Sequence, residues 1–129
     1  MARHVAQNSA VHIGVAFLAM GGWAVLANRA HPWPQPLVAG VVQGALSGAI
    51  TFVLKRMIER LASSFSGIAA LVLPPLIAVG LSLAVLTSIH ALAGTPEILA
   101  TIALPTSVTA IYSTIYTTAL WRIRRASDG

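Results

Sequence analysis

Four long apolar runs, separated by short polar or proline-rich segments, make up most of the sequence. They cover approximately residues 9–28, 37–54, 67–93 and 97–121. An apolar helix of about 20 residues crosses the hydrocarbon core of a bilayer, and each run is near or above that length. The pattern therefore predicts an all-α, polytopic membrane protein: a four-transmembrane-helix bundle forming a single domain over residues 1–129. A cleaved signal peptide is the alternative interpretation of the first run.

Composition agrees with a chain that lies in lipid. Hydrophobic residues make up 57% of the sequence and charged residues only 9%, whereas a soluble domain carries about a quarter charged residues. The net charge of +5 is not evidence for a nucleic-acid partner, because the basic residues lie at the ends of apolar runs and not along one face. They indicate membrane topology and contacts with anionic lipid headgroups.

Charge also predicts the orientation. With four spans, all but one of the eight Lys and Arg residues fall on one side of the membrane, and Arg29 alone falls on the other. The larger set is Arg3, Lys55, Arg56, Arg60, Arg122, Arg124 and Arg125. The positive-inside rule makes that side cytoplasmic, so both termini are expected there. Abundant alanine, with arginine preferred to lysine, favours a bacterial inner (cytoplasmic) membrane.

The second run carries glycine at every fourth position, at Gly40, Gly44 and Gly48. On a helix this spacing makes a groove without side chains, and in a bilayer such a groove lets another helix backbone approach closely. Gln43 and Ser47 form a second row beside it. The pattern predicts that these glycines are a helix-packing surface, through which copies of the chain associate or a partner docks.

Prolines interrupt the third run at Pro74 and Pro75 and the fourth run at Pro105. A proline within a helix has no amide donor, so the carbonyl four residues earlier loses its partner. These positions therefore predict helix kinks. The freed carbonyls add hydrogen-bond acceptors inside the bundle.

Polar side chains recur at depth in the last three runs. They form a candidate polar pathway for which two interpretations stay open: hydrogen bonds that join helices, or a route for a small polar solute or lipid. No Asp, Glu, Lys or Arg lies in the middle of a run, which argues against coupling to an ion. The residues are Gln43, Ser47, Ser82, Thr106, Ser107, Thr109 and Tyr112.

The remaining candidate chemistry is weak. His12 suits a proton relay or a simple hydrogen bond, and His31, His90 and Glu97 have acceptable chemistry for zinc but no diagnostic spacing. Glu97 also fits the start of a helix capped by Thr95. No buried acid and base are paired to activate a nucleophile. We therefore predict no metal, no cofactor and no enzymatic activity.

Together these features predict a transporter or passage for a small polar solute or lipid that is not ion-coupled. A chain of 129 residues is small for enclosing a pore, so the passage is expected to be a parallel homo-oligomer. The alternative is a non-catalytic accessory or assembly subunit of a larger membrane protein complex. Its docking face would be the glycine groove.

Overall fold

The computed structural model describes residues 2–128, and their side chains from residue 8 onward. This part of the chain forms four α-helices: α1 (Ala2–Ala27), α2 (Gln35–Ser64), α3 (Ala69–Ala93) and α4 (Ile98–Asp128). It contains no strand. The prediction of an all-helical fold with four helices is confirmed.

Each helix is long and apolar enough to cross a membrane; in α1 the apolar part is Asn8–Ala27. Two helices extend well beyond their apolar runs, because α2 continues through its basic segment to Ser64 and α4 continues to Asp128. The segment after residue 54 is thus a helical extension of α2. Gly67, two residues before α3, adopts a left-handed φ of 62°. The chain turns there before the helix begins.

The end of α3 is closed by a Schellman motif. Gly94 adopts a left-handed φ of 73°, a conformation that glycine reaches without a Cβ penalty. Its N–H donates to the Ala91 carbonyl at 3.2 Å, and the N–H of Thr95 donates to the His90 carbonyl at 3.0 Å. The turn folds Thr95 back over the end of α3, beside His90.

The helices pack so that α2 and α4 occupy the middle. Helix α2 contacts α1, α3 and α4, and α4 also contacts α1 and α3. Among the described residues the backbones of α1 and α3 do not approach each other closely. Helices α3 and α4 both bury residues at every fourth position, so each turns one narrow stripe inward. The stripes are Ala70, Pro74, Ala78, Ser82, Leu86 and His90 on α3, and Thr101, Pro105, Thr109, Ser113 and Thr117 on α4.

All three prolines of the predicted kinks lie inside helices. Pro74 and Pro75 belong to α3, and Pro105 belongs to α4. Both helices continue through them. Pro74 and Pro105 are also buried members of the inward stripes. A proline ring therefore contributes to helix packing at these positions, and the kinks stay a prediction.

The C-terminal parts of α2 and α4 lie together. The hydroxyl of Tyr116 donates to Glu59 Oε1 at 2.6 Å, and the guanidinium of Arg124 donates to the carbonyl of Ala62. These contacts gather most of the basic residues at one end of the bundle, which we call the basic end. Its described basic side chains are Lys55, Arg56, Arg60, Arg122, Arg124 and Arg125.

Arg29 lies at the opposite end of the bundle, just after α1. Helix α1 runs antiparallel to α2, since Ile13 lies beside Gly48 and Val25 beside Gly40. The N-terminal part of α1 is therefore at the basic end as well. The side chain of Arg3 lies outside the described part of the chain.

Candidate functional site

The glycine groove of α2 is in contact with α1 of the same chain. A Cβ added at Gly21 of α1 would lie 2.8 Å from the carbonyl oxygen of Gly40 and 3.4 Å from the Cα of Gly44. A distance of 2.8 Å is too short for a real side chain, so the two backbones touch where glycine faces glycine. Helices α1 and α2 are thus joined by direct backbone contact.

Side chains of α1 fill the rest of the groove. A Cβ at Gly44 would lie 3.0 Å from both the ring and the carbonyl oxygen of Phe17, and one at Gly48 would lie 3.2 Å from Ile13 Cγ2. The groove is thus occupied over three turns and is not open to a second copy or a partner. Association or docking needs a different surface from the one that the sequence pattern suggested.

A first polar network, which we call the Gln43 network, joins α2 to the end of α3. Gln43 and His90 are both fully buried, and Gln43 Oε1 lies 2.8 Å from His90 Nε2. The Gln43 amide donates to Ser47 Oγ at 2.8 Å, and His90 Nδ1 lies 2.7 Å from Thr95 Oγ1. An amide oxygen only accepts, so Nε2 carries a proton, and in the neutral ring Nδ1 accepts from the Thr95 hydroxyl.

A second network, the Asn28 network, joins α1 to the start of α4. Asn28 is fully buried. Its Nδ2 donates to the Ala24 carbonyl at 2.8 Å and to Thr101 Oγ1 at 2.7 Å. Its Oδ1 accepts the backbone N–H of Glu97 at 2.9 Å. Every hydrogen-bonding group of this amide is used, and Thr101 in turn donates to the Glu97 carbonyl at 2.5 Å.

Asn28 therefore caps the start of α4, a role that the sequence suggested for Thr95. The N–H at the start of α4 bonds to Asn28 from another helix, and the Thr95 hydroxyl is engaged with His90 instead. The Schellman turn explains the exchange, because it directs Thr95 toward α3 and away from α4. The cap of α4 is a tertiary contact, so it ties the helix start to the packing of α1.

The other predicted pathway residues differ in burial. Ser82 and Thr109 are buried in the inward stripes of α3 and α4, whereas Thr106 is half-buried and Ser107 is exposed. Tyr112 is 39% exposed and stacks on Tyr116, with ring centroids 5.8 Å apart. The structure brings Gln43 and Ser47 into one network and places Tyr112 outside the interior.

The polar interior is larger than the predicted set. Ser113 and Thr117 are fully buried on α4, on the same stripe as Thr109. Ser113 donates to the Thr109 carbonyl, while the buried hydroxyl of Thr117 has no hydrogen-bond partner among the described residues. Polar groups thus continue along the inward face of α4 toward the basic end.

The three candidate zinc ligands are not brought together. His31 Nε2 pairs with Glu97 Oε1 at 3.0 Å in an exposed position at the end opposite the basic end, whereas His90 is buried against Gln43. Among the side chains of residues 8–128, no group of three or more His, Cys, Asp and Glu could hold a metal ion. The side chain of His12 is exposed.

Comparison with known proteins found no matching family, curated protein or solved structure. The chemistry of the site is therefore inferred from its own residues. Amide, imidazole and hydroxyl groups make up the described polar interior, while Glu59 and Glu97 lie at opposite ends of the bundle and are exposed. Such an interior can donate and accept hydrogen bonds but offers no carboxylate to a cation.

Proposed function

We propose that the four helices cross a bacterial inner (cytoplasmic) membrane, with the basic end and both termini in the cytoplasm. The support is the charge distribution: every described Lys and Arg side chain except Arg29 belongs to the basic end. Lys and Arg near the ends of spans are retained on the cytoplasmic side during insertion. Anionic lipid headgroups of that leaflet attract the same residues.

The orientation is tested with reporter fusions. A reporter fused after Gly129 and one inserted at Ser66, in the turn between α2 and α3, should both report the cytoplasm. One inserted at Pro34 should report the opposite compartment. The Ser66 and Pro34 insertions control for each other, since both interrupt a short turn. A C-terminal reporter outside the cytoplasm would contradict the four-span topology.

We further propose that the protein is a passage for a small polar solute or lipid, not coupled to an ion and assembled from parallel copies. The Gln43 network carries this proposal. Buried polar groups in a bilayer are costly, and a hydrogen bond between membrane helices returns only about 0.6 kcal/mol. Apolar side chains would join α2, α3 and α4 at a lower cost than these buried polar groups, so the polar groups are expected to serve more than helix packing. The absence of a carboxylate in the described interior favours a neutral polar ligand.

A solute or lipid can pass only if the helices move apart or if a second copy of the chain completes the route. Helix α2 contacts α4 directly, and Gln43 and His90 are fully buried, so the arrangement described here is closed. A route opens only where helices separate or where a neighbouring copy completes it. Because α1 fills the glycine groove, neighbouring copies would meet through the exposed apolar faces.

A non-catalytic accessory or assembly subunit is the second candidate, favoured by the Asn28 network. All hydrogen-bonding groups of Asn28 have partners within the chain, as expected of a polar group that only fixes helix positions. On this hypothesis the Gln43 network is a static joint of the same kind. The partner would then be another membrane protein, bound through an exposed apolar face.

Gln43→Leu separates the two functions. Wild-type protein in liposomes is assayed for entry of glycerol and urea by osmotic swelling, and for movement of a fluorescent phospholipid between leaflets. If Gln43 lines the passage, Gln43→Leu should abolish the flux even of the protein that remains folded. If Gln43 only joins helices, its loss should lower stability by about 1–2 kcal/mol, and any loss of function should follow the loss of folded protein.

Gln35→Leu is the matched control, since Gln35 is exposed at the start of the same helix. It should change neither flux nor stability. Flux and thermal unfolding are measured on one preparation of each variant. A stable Gln43→Leu protein with wild-type flux would exclude both roles for this side chain, and wild-type protein without flux for these probes would favour the accessory function.

A further inference from the structure

A cleft at the basic end is separate from both polar networks. It has a volume of about 620 Å³ and lies between the turn that follows α2 and the last turns of α4. Arg124, Arg125 and Asp128 contribute its charged groups, and Phe65, Ile68 and Trp121 contribute its apolar wall. The described lining holds two arginines and one aspartate, so it carries an excess of positive charge.

Both arginines are held in place by the fold. Arg124 donates to the carbonyl of Ala62 at the end of α2, and the guanidinium carbon of Arg125 lies 4.7 Å from the centre of the Trp121 ring. The Trp121 indole in turn donates to the Gly67 carbonyl at 3.2 Å. A guanidinium has five N–H donors, so most donors of this pair stay available. Held donors lose less conformational entropy when they bind a ligand.

Neither arginine forms an ion pair with another side chain in the described part of the chain. The salt bridges among the described residues are His31 with Glu97 and Lys55 with Glu59. Asp128 lines the cleft but is not within salt-bridge distance of Arg124 or Arg125. A planar guanidinium matches the geometry of phosphate oxygens. The electrostatics therefore favour a phosphate anion.

The apolar wall indicates where that phosphate comes from. Ile68 is 67% exposed and Val72, one turn further into α3, is 46% exposed, so an apolar surface leads from the cleft along the outside of the bundle. Trp121 lies at the border, as indole rings do at the headgroup level of membranes. A soluble phosphate would make no use of this surface, whereas a lipid would bury acyl chain against it.

We propose that this cleft binds one anionic phospholipid, with its headgroup phosphate on Arg124 and Arg125 and its acyl chains along Ile68 and Val72. The lipid is a resident of the basic end and not the solute of the polar interior. The proposal rests on the membrane location proposed above, but not on passage. Its test measures binding alone, so it can fail while flux persists, and the reverse.

The test uses the full chain in a mild detergent. The midpoint of thermal unfolding is followed during titration with short-chain phosphatidylglycerol, with phosphatidylcholine of equal chain length, and with inorganic phosphate. Phosphatidylglycerol should raise the midpoint saturably, and the other two should not do so at equal concentration. Equal effects of both lipids would overturn the role of charge, and an equal effect of inorganic phosphate would overturn the choice of a lipid.

Arg124→Gln/Arg125→Gln should weaken apparent binding about fivefold for each arginine lost. The control is Lys55→Gln/Arg56→Gln, which removes the same charge from exposed positions at the same end and should stay close to wild type. Equal weakening in the two double variants would mean that the lipid responds to the overall positive charge of the basic end, and it would overturn the proposal of a specific site. Arg125→Gln alone leaves the contact between Arg124 and Ala62 in place, so it tests the proposal even if the double variant does not fold. Unchanged binding in this single variant would also overturn the proposal.

Discussion

Replacing Gly21 by alanine should destabilise the protein by about 1–3 kcal/mol, the usual cost of adding volume to a packed interior. The new methyl group would lie 2.8 Å from the carbonyl oxygen of Gly40 and 3.4 Å from the Cα of Gly44. Both obstacles are backbone atoms, so no side-chain rotation relieves the clash. Helices α1 and α2 must move apart, which weakens contacts along the groove. Unfolding of the detergent-solubilised protein by heat and by denaturant measures the loss.

The adjacent glycine of α1 provides the control. A Cβ at Gly22 would meet nothing within 4 Å, so Gly22→Ala should be neutral or should stabilise the helix by about 0.5–1 kcal/mol. The two variants have the same composition and differ by one position in the same helix. Equal effects would mean that the contact between α1 and α2 is looser than the glycine spacing implies. Gly44→Leu and the exposed Ala45→Leu provide an independent pair on α2.

The sequence predicted the four helices because length and apolarity are local properties, readable from each run separately. The apolar runs give the membrane spans and not the helix ends. Helix α2 continues to Ser64 and α4 to Asp128, since polar and basic residues remain good helix formers outside an apolar run. The left-handed glycines, Gly67 and Gly94, set the limits of α3 more sharply than hydropathy does.

The glycine groove shows what spacing can and cannot reveal. Gly40, Gly44 and Gly48 on one helical face predict a close helix contact, but nothing in that spacing names the neighbour. The neighbour is α1, which brings Gly21 to the groove. Two consecutive glycines, Gly21 and Gly22, were the available signal. A small residue on both sides allows backbones to touch.

Asn28 and His90 lie near the ends of the first and third apolar runs, yet both are fully buried. For His90 the signal was present: it falls on the same four-residue repeat as Ser82, which was predicted to lie at depth. For Asn28 no local pattern was available. Its partners outside α1 are Thr101 and the Glu97 amide, far along the chain. Only the packing of α1 against α4 creates that network.

Asn28→Ala should be the most damaging single removal of a polar side chain, at about 2–3 kcal/mol. It deletes three hydrogen bonds and leaves the amide at the start of α4 without its cap, and buried groups that lose a partner cost about 1–3 kcal/mol. Asn8→Ala, on the exposed part of the same helix, is the matched control and should be close to neutral. Equal stability of the two variants would contradict the tertiary cap.

A double-mutant cycle with Thr101→Val then separates the parts of this network. Valine keeps the shape of threonine but removes the hydroxyl that accepts from Asn28 Nδ2. If the two side chains act as one unit, the double variant should lose less stability than the sum of the single variants, by about 0.5–1 kcal/mol, because the second change removes a bond already broken. Strict additivity would mean that Asn28 contacts α4 energetically through the Glu97 amide alone, so that α1 holds α4 by capping it. A measurable coupling would mean that α1 also holds α4 through Thr101, one turn further into the helix.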